Sequence, residues 1–341
     1  MIQAICSEIV AQKDYLGGKK LQTIYFGGGT PSLLSPAELD SIFNTIRRIH
    51  SVASDAEITL EANPEDLTPA YCEMIASKGI NRLSIGIQSF QEKNLVLMNR
   101  NHKSSDSIQA IRNAQNAGIT HISIDLIYGI PGNSEADLTE DLEKATTLGV
   151  QHISAYSLTV EPKTVFGVQK KKGTFLEIPD SAMANAFNQV RTYLESKGYE
   201  GYETSNFAIE GHYSVHNTSY WQQEPYLGIG PSAHSFNGHS RQWNVSNNAK
   251  YITSGLALTE KEELSPADQL NEYLMVRLRT KWGIDLNYVQ DQLRKMNLNY
   301  PEKEFKSWIS KGFARIDDDF LILEGEGKLI ADRLSSDIFV V

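Results

Sequence analysis

The 341-residue sequence is poor in cysteine, in positive charge and in long hydrophobic runs. Its two cysteines, Cys6 and Cys72, fall far apart in predicted helices, which excludes a disulfide framework and any thiol site with metal-ligand spacing. Acidic residues number 42 against 32 basic ones, and the resulting net charge of -10 argues against nucleic acid as a partner. No apolar run approaches the ~20 residues that a membrane-spanning helix requires.

The first segment of the chain, MIQAICSEIVAQKDYL, is predicted to form an amphipathic helix because Glu8, Lys13 and Asp14 interrupt it. A secretory signal peptide has an uninterrupted apolar centre, which this segment lacks. We therefore expect a cytoplasmic protein. The sequence leaves peripheral association with a membrane open.

Residues 20–160 alternate short β-rich runs with amphipathic helices, which is typical of an α/β fold with a parallel sheet. The β-rich runs are LQTIYF (21–26), EITLEA (57–62), RLSIGIQ (82–88), HISIDLIY (121–128) and HISAYSL (152–158). Helix start signals occur at Ser35, Thr68 and Ser134. The matching stop signals are Gly79, Gly118 and Gly149.

Two α/β architectures fit this alternation, an open doubly wound sheet and an arc of a (β/α) barrel. A dinucleotide-binding sheet would have the spacing G-x-G-x-x-G, whereas here the glycines are consecutive and Pro31 follows. Polar residues also end the apolar strands, namely Glu61, Gln88 and Asp125. Such residues form one rim in a barrel, so this placement favours the barrel, although each alone is also typical of a solvated strand end.

The most unusual stretch is TIYFGGGTPS, in which Gly27, Gly28 and Gly29 end the first strand. Glycines at a strand end let a ligand approach the backbone closely, and Thr30 adds a hydroxyl group. No lysine follows the glycines as it would in a phosphate-binding loop. With carboxylates and an amide on the same rim, the pattern favours a ligand with an amine and hydroxyl groups, such as a nucleoside that carries an amino acid.

The alternation ends after residue 160. We predict a partial barrel over 1–210, a connecting segment rich in histidine and aromatic residues over 211–262, and a small winged-helix-like module over 263–341. Within the first part, Lys170 to Lys172 are predicted to lie in a solvated turn and 198–209 to form one more strand. The acidic run Asp317 to Asp319 makes a structural or partner-docking role of the last module more plausible than DNA binding.

Six motifs carry a family resemblance over nearly the whole chain: YFGGGTPS, EANPEDL, GINRLSIGIQSF, ISIDLIYGIPG, ISAYSLTVEP and LGIGPSAHS. They resemble the radical S-adenosylmethionine proteins related to oxygen-independent coproporphyrinogen III oxidase. The resemblance implies an incomplete (β/α) barrel that binds S-adenosylmethionine. By position, the implied cofactor-binding residues are Gly28, Gly29, Thr30, Glu61, Gln88, Arg100, Asp125, Thr159 and His234.

The segment HNTSYW (216–221) resembles the H-N-x-x-Y-W motif of the HemW haem chaperones. This resemblance implies that His216 is a ligand to haem iron and that Tyr220 and Trp221 pack on the macrocycle. It also implies two partners, haem and a haem-accepting protein. Taken alone, His216 is also typical of a structural histidine in a polar turn.

The family normally holds a four-iron four-sulfur cluster through three cysteines in C-x-x-x-C-x-x-C, just after the first barrel strand. This chain lacks that motif, so it has no ligands for the cluster in the family manner. We expect that the first βα unit is missing because the chain is truncated. The alternative is a degenerate member that lost its cluster.

The favoured function is therefore haem binding and delivery on a radical S-adenosylmethionine scaffold. The alternative is an oxygen-independent coproporphyrinogen III oxidase, which the HNTSYW segment and the missing cysteines disfavour. A third hypothesis is a polar-rimmed barrel for another small ligand. Whether the chain catalyses any reaction stays open.

Overall fold

The computed structural model describes residues 1–340, apart from the side chain of Leu258; the last residue of the predicted C-terminal module lies outside the described residues. The strands are β1 (Leu21–Phe26), β2 (Val52–Ala62), β3 (Arg82–Gln88), β4 (His121–Tyr128), β5 (His152–Ser157), β6 (Tyr199–Gly201), β7 (Asn206–Ile209), β8 (His234–Phe236), β9 (Ser240–Trp243), β10 (Glu260–Glu263), β11 (Ile284–Asp285), β12 (Ala314–Asp317) and β13 (Phe320–Leu323). The helices are α1 (Ile2–Ala11), α2 (Pro36–Ile49), α3 (Pro69–Lys78), α4 (Glu92–Leu97), α5 (Ser104–Asn116), α6 (Glu135–Thr147), α7 (Val165–Lys171), α8 (Asp180–Ser196), α9 (Val215–Trp221), α10 (Asn248–Ser254), α11 (Pro266–Arg277), α12 (Leu286–Lys295), α13 (Glu302–Ser310) and α14 (Ala331–Asp337).

The chain forms two compact units. The first unit comprises residues 1–23, 35–56 and 215–341, and the second comprises 24–34 and 57–214. The division into three parts, drawn from the sequence, stays a prediction.

One sheet of seven strands has the order β1-β2-β3-β4-β5-β7-β6. Strands β2 to β5 pair in parallel, with Leu60 opposite Leu83 and Ile124 opposite Ile153. This confirms the α/β fold and the parallel sheet predicted from the alternating pattern. Strand β7 runs antiparallel to β5, and β6 runs antiparallel to β7.

Local signals located the helix ends correctly. The side chain of Ser35 accepts a hydrogen bond from the backbone N–H of Glu38, and the Glu38 carboxylate accepts one from the backbone N–H of Ser35, which completes a capping box. Ser134 begins α6 with the same arrangement, and the side chain of Thr68 caps α3 by accepting from the backbone N–H of Tyr71. Gly79 ends α3 with φ +98°, a left-handed conformation that glycine adopts without steric cost.

Three boundaries differ from the sequence-based predictions. Strand β2 begins at Val52 rather than at residue 57. The predicted strand over 198–209 is two short strands, because residues 202–205 reverse the chain between β6 and β7. Lys170 and Lys171 lie in the last helical turn of α7 rather than in a loop. Thr164 caps the start of that helix, and Lys170 pairs with Glu177.

The core of the second unit lies between its sheet and helices. Strand residues Leu60, Leu83 and Ile124 are each fully buried, as are Ile75 on α3 and Ile111 on α5. Burial of such side chains contributes roughly 1.5–3 kcal/mol each, so the sheet provides a rigid frame for residues at its strand ends.

The C-terminal part of the first unit contains its own core. Helices α11 to α14 surround a small sheet with the order β11-β13-β12, and Leu274, Ile284, Trp308 and Leu321 are buried among them. Strands β12 and β13 form an antiparallel hairpin, with Ala314 opposite Leu323. The winged-helix assignment itself stays a prediction.

In the part of the chain that the structure describes, no helix combines the length and apolar character needed to cross a bilayer.

Candidate functional site

Gly27 has protein atoms directly beside it. A Cβ atom at this position would lie 2.5 Å from Cε1 of Tyr25 and 2.8 Å from Oε1 of Glu61. Both distances are far inside van der Waals contact. A larger residue at Gly27 would therefore displace Tyr25 and Glu61, which strands β1 and β2 bring against the backbone.

Gly28 and Gly29 are glycines for another reason. Their φ angles are +72° and +71°, and no atom lies within 4 Å of the place where a Cβ would be. Left-handed backbone favours glycine, and the surrounding space is open. The two residues thus expose backbone that a ligand can approach, as the sequence predicted for this stretch.

Glu61 holds the glycine run in place. The hydroxyl of Tyr25 donates to Oε1 of Glu61 over 2.7 Å, and the backbone N–H of Gly28 donates to Oε2 over 3.1 Å. Burial, together with the neighbouring Glu61 carboxylate, raises the pKa of Tyr25 far above its ordinary value. The phenol therefore stays protonated and acts as a donor at neutral pH.

Gln88 has a strained backbone. Its φ angle is +69°, and the pairing of β3 with β4 shifts register between Ile85 and Gln88. Non-glycine residues in this region cost roughly 1–3 kcal/mol and are concentrated at functional sites. A Cβ at Gly86 would lie 2.8 Å from Nε2 of Gln88 and 3.9 Å from Nη2 of Arg100, so both polar groups lie over one glycine.

Asp125 is the most perturbed carboxyl group of this region. Burial raises its pKa to about 6, the Glu61 carboxylate adds to the effect, and hydrogen bonds from Ser154 and Ser84 with the charge of Arg100 oppose it. The Ser84 hydroxyl lies 3.3 Å from Oδ1 of Asp125. A carboxyl group with this pKa can hold or release a proton near neutral pH.

The guanidinium of Arg100 lies among these acidic groups. Burial lowers its pKa, and the charges of Glu65 and Asp125 raise it in the opposite direction. The second unit therefore brings Glu61, Gln88, Arg100 and Asp125 together beside the glycine run. We call this set, with residues 27–29, the glycine site.

The two threonines predicted to bind the cofactor are both exposed. Thr30 is exposed at the end of the glycine run, and Thr159 is exposed beyond β5 with its Oγ1 3.4 Å from the carbonyl oxygen of Ser157. Their assignment to a cofactor stays a prediction.

His216 lies on the short helix α9 in the first unit. Its Nδ1 is 2.8 Å from Oγ1 of Thr23 on β1, and its Nε2 is 3.1 Å from the hydroxyl of Tyr220 one helical turn away. The rings of His216 and Tyr220 meet edge to face, with centroids 5.0 Å apart. Both ring nitrogens of the predicted haem ligand thus have a hydroxyl neighbour.

Tyr220 is backed by a second tyrosine. Its ring meets that of Tyr226 edge to face at 4.6 Å, and the hydroxyl of Tyr226 accepts from Arg241 over 3.2 Å. Arg241 in turn donates twice to Glu272, over 2.6 and 2.7 Å. This bidentate ion pair orients Arg241, which in turn holds Tyr226 against the ring of Tyr220.

Trp221 is half-buried, and within residues 1–340 its indole N–H reaches no acceptor. His234 is exposed on β8, where its ring stacks on Trp243 at 5.9 Å. His234 belongs to the first unit and the glycine site to the second. The predicted roles of Trp221 at the macrocycle and of His234 at the cofactor stay predictions.

The two thiols lie on separate helices. Cys6 lies on α1 with its Sγ 3.7 Å from the carbonyl oxygen of Ser41, and Cys72 is fully buried on α3. Burial, with a smaller contribution from Glu73, raises the pKa of Cys72 to about 11, so it remains a neutral thiol. Over the described part of the chain no group of three or more His, Cys, Asp or Glu side chains could hold a metal ion.

Sequence reasoning missed two residues that organise these sites. Tyr25 and Thr23 both stand on β1 just before the glycine run, where alternation marks them only as strand residues. The one available signal is their position, since polar hydroxyls near the end of a strand can reach side chains on neighbouring elements. Their partners are distant in sequence and could not be assigned in advance.

Comparison with known proteins agrees with this geometry. The model of the radical S-adenosylmethionine superfamily matches residues 5–145. The protein named heme chaperone HemW of Bacillus subtilis (strain 168) is 32% identical over 98% of this chain and 89% of the relative, and that of Mycobacterium tuberculosis (strain CDC 1551 / Oshkosh) is 34% identical over 97% and 84%.

Among solved structures, coproporphyrinogen III oxidase from Escherichia coli, a radical S-adenosylmethionine enzyme, superposes with a TM-score of 0.81 at 22% identity, over 98% of this chain and 81% of that one. Similarity at this level of identity shows a shared fold. The agreement with the HemW proteins extends over almost the whole of both sequences. The chain therefore belongs to the HemW family within the radical S-adenosylmethionine superfamily.

Proposed function

We propose that this chain binds haem through His216 and passes it to an acceptor protein, and that the glycine site holds S-adenosylmethionine. The observation that carries the haem assignment is the setting of His216 on α9. Its Nδ1 meets a hydroxyl on a strand, and its Nε2 points to Tyr220, which is 39% exposed. The relatives named heme chaperones support the same assignment.

The chemistry of the side chains fits a porphyrin. Neutral imidazole is a common axial ligand of haem iron. Tyr220 and Tyr226 offer aromatic faces next to it, and such faces pack well on a large apolar ring. Trp221 is proposed to add to this surface.

The glycine site fits the methionine and ribose parts of S-adenosylmethionine. Gly28 and Gly29 offer open backbone, and Glu61 and Asp125 offer carboxylates that accept from an amine and from hydroxyls. Gln88 adds an amide that can both donate and accept. Thr30, Arg100 and Thr159 are proposed to complete the cofactor contacts. When bound, the cofactor supplies a sulfonium centre and an adenosyl group.

A four-iron four-sulfur cluster does not fit the residues of this chain. Two cysteines, one of them fully buried, cannot provide three thiolates. The proposed function therefore uses no step that involves the cluster. Fold similarity to coproporphyrinogen III oxidase adds no support for an oxidase function, because the identity of 22% shows the fold alone.

The haem assignment is tested by titrating haem into the purified chain, into His216→Ala and into His239→Ala. His239 is an exposed histidine in the same unit and is not part of the proposed site, which makes it a matched control. We expect the shift of the Soret band to be retained in His239→Ala and lost in His216→Ala. Equal affinity of all three proteins would remove His216 as the ligand.

A further inference from the structure

The two hydroxyl neighbours of His216 are not equivalent. Thr23 stands on β1, the edge strand of the seven-stranded sheet, and its branched side chain has few rotamers. Tyr220 stands on a helix of seven residues and is 39% exposed, so its hydroxyl is less confined than that of Thr23. The partner at Nδ1 is therefore fixed, and the partner at Nε2 is movable.

A neutral imidazole carries one N–H and one lone pair, and the hydroxyl partners decide which nitrogen has the proton. Histidines that bind metals commonly donate from the other ring nitrogen to a fixed oxygen, which orients the ring and makes the free nitrogen more basic. Oγ1 of Thr23, 2.8 Å from Nδ1, is placed to be that oxygen.

We infer that Thr23 is a positioning residue, which holds His216 as the Nδ1–H tautomer so that Nε2 receives haem iron, and that the Tyr220 hydroxyl caps Nε2 until iron displaces it. The iron-binding half of this inference rests on the proposed function. The tautomer half concerns the protein without haem and can be tested separately.

The two residues then have opposite effects on haem affinity. Loss of the Thr23 hydroxyl leaves the ring poorly oriented, and loss of such a partner typically weakens metal binding by roughly 10- to 100-fold. Loss of the Tyr220 hydroxyl removes a group that competes with iron, and a neutral hydrogen bond of ordinary strength corresponds to roughly a 2- to 10-fold gain in affinity. A purely structural role would make both substitutions weaken binding.

The tautomer is read by nitrogen-15 NMR of histidine-labelled, haem-free protein, in the wild type, Thr23→Val and Thr23→Ser. We expect Nδ1–H for His216 in the wild type and in Thr23→Ser, and a shift toward Nε2–H in Thr23→Val. His152, whose ring lies between Ser123 and Tyr202 in the other unit, is an internal control that should not change. An Nε2–H wild type, or an unchanged Thr23→Val, would overturn the role of Thr23.

Haem titration of the same proteins and of Tyr220→Phe tests the cap. We expect weaker binding by Thr23→Val, recovery in Thr23→Ser, and tighter, faster binding by Tyr220→Phe, which keeps the ring contact with Tyr226. Weaker binding by Tyr220→Phe overturns the cap. If the wild type binds no haem, the proposed function fails and the iron-binding half fails with it, while the NMR result still decides whether Thr23 sets the tautomer.

Discussion

The Tyr25 hydroxyl lies 2.7 Å from Oε1 of Glu61, and the same carboxylate accepts the Gly28 N–H through its other oxygen. One side chain thus links the end of β1 to the end of β2 and holds the glycine run between them. The link supports the backbone of Gly28 through its N–H, while the space where a Cβ would lie at Gly28 and Gly29 stays open.

Removal of the Tyr25 hydroxyl should loosen the glycine site. We expect Tyr25→Phe to lower the free energy of unfolding by about 1 kcal/mol, the value of an ordinary net hydrogen bond, and to weaken S-adenosylmethionine binding. Tyr71→Phe is a matched control, since the Tyr71 hydroxyl is buried without a hydrogen-bond partner among residues 1–340. Urea unfolding and calorimetric titration measure both effects. Equal behaviour of the two variants would contradict the proposed link.

Gly28 should be important for ligand binding as well as for the backbone conformation of its loop. Gly28→Ala places a side chain at φ +72°, and Gly173→Ala does so at φ +73° in an equally open position that is not part of the glycine site. Both should lose roughly 1–2 kcal/mol of stability, because left-handed backbone is unfavourable for alanine. Only Gly28→Ala should also reduce the affinity for S-adenosylmethionine, as measured by calorimetry. Similar affinity in both variants would argue against ligand contact at Gly28.

Asp125 should make stability depend on pH with a definite sign. Its pKa in the folded protein is about 6, above the ordinary value near 3.9, so the folded state binds more protons between these values. Stability should therefore fall as the pH rises from about 4 to about 6. Asp125→Asn should remove this dependence and gain roughly 2–3 kcal/mol at pH 8, with little change at pH 3.5.

Asp137 provides a control of opposite sign. Hydrogen bonds from Lys93 and from Ser134 lower its pKa to about 2. The ionised Asp137 carboxylate stabilises the folded protein above the ordinary pKa of an aspartate, and this stabilisation disappears as the pH falls toward 2. Asp137→Asn should therefore lower stability at pH 7. Urea midpoints measured across the pH range compare the two variants. A parallel response of both would show that the environment assigned to Asp125 is wrong.

Glu8 should be essential to the first unit although it is remote from His216 in sequence. Its buried carboxylate accepts from the Gly230 N–H over 2.9 Å, from Asn244 over 2.6 Å and from the Tyr251 hydroxyl over 2.5 Å. Glu8→Gln turns an acceptor into a donor facing donors and should cost roughly 1–3 kcal/mol.

The matched control for Glu8 is Glu224→Gln. Glu224 is 60% exposed and lies 4.0 Å from Lys19, a type of surface pair worth roughly 0–1 kcal/mol. Thermal unfolding of both variants measures the difference. A Glu8→Gln protein as stable as Glu224→Gln would show that the buried carboxylate does not anchor the segment before His234.

Sequence alone determined the features that depend on neighbouring residues. Helix starts at Ser35, Thr68 and Ser134 were readable because a capping side chain bonds to backbone only three residues away. Polar residues toward the C-terminal ends of β2, β3 and β4 were predicted to meet because parallel strands end at one edge, although Asp125 lies within β4 rather than at its end. The structure brings Glu61, Gln88 and Asp125 together for that reason.

Tertiary structure alone decided which distant residues become partners. Thr23 meets His216 across 193 residues, and Glu8 meets Gly230 across 222. No local pattern encodes these pairs, since they follow from how the packed elements bring chain segments together. The antiparallel pairing of β7 with β5 was missed for the same reason, because these strands are distant in sequence and packing decides how they pair.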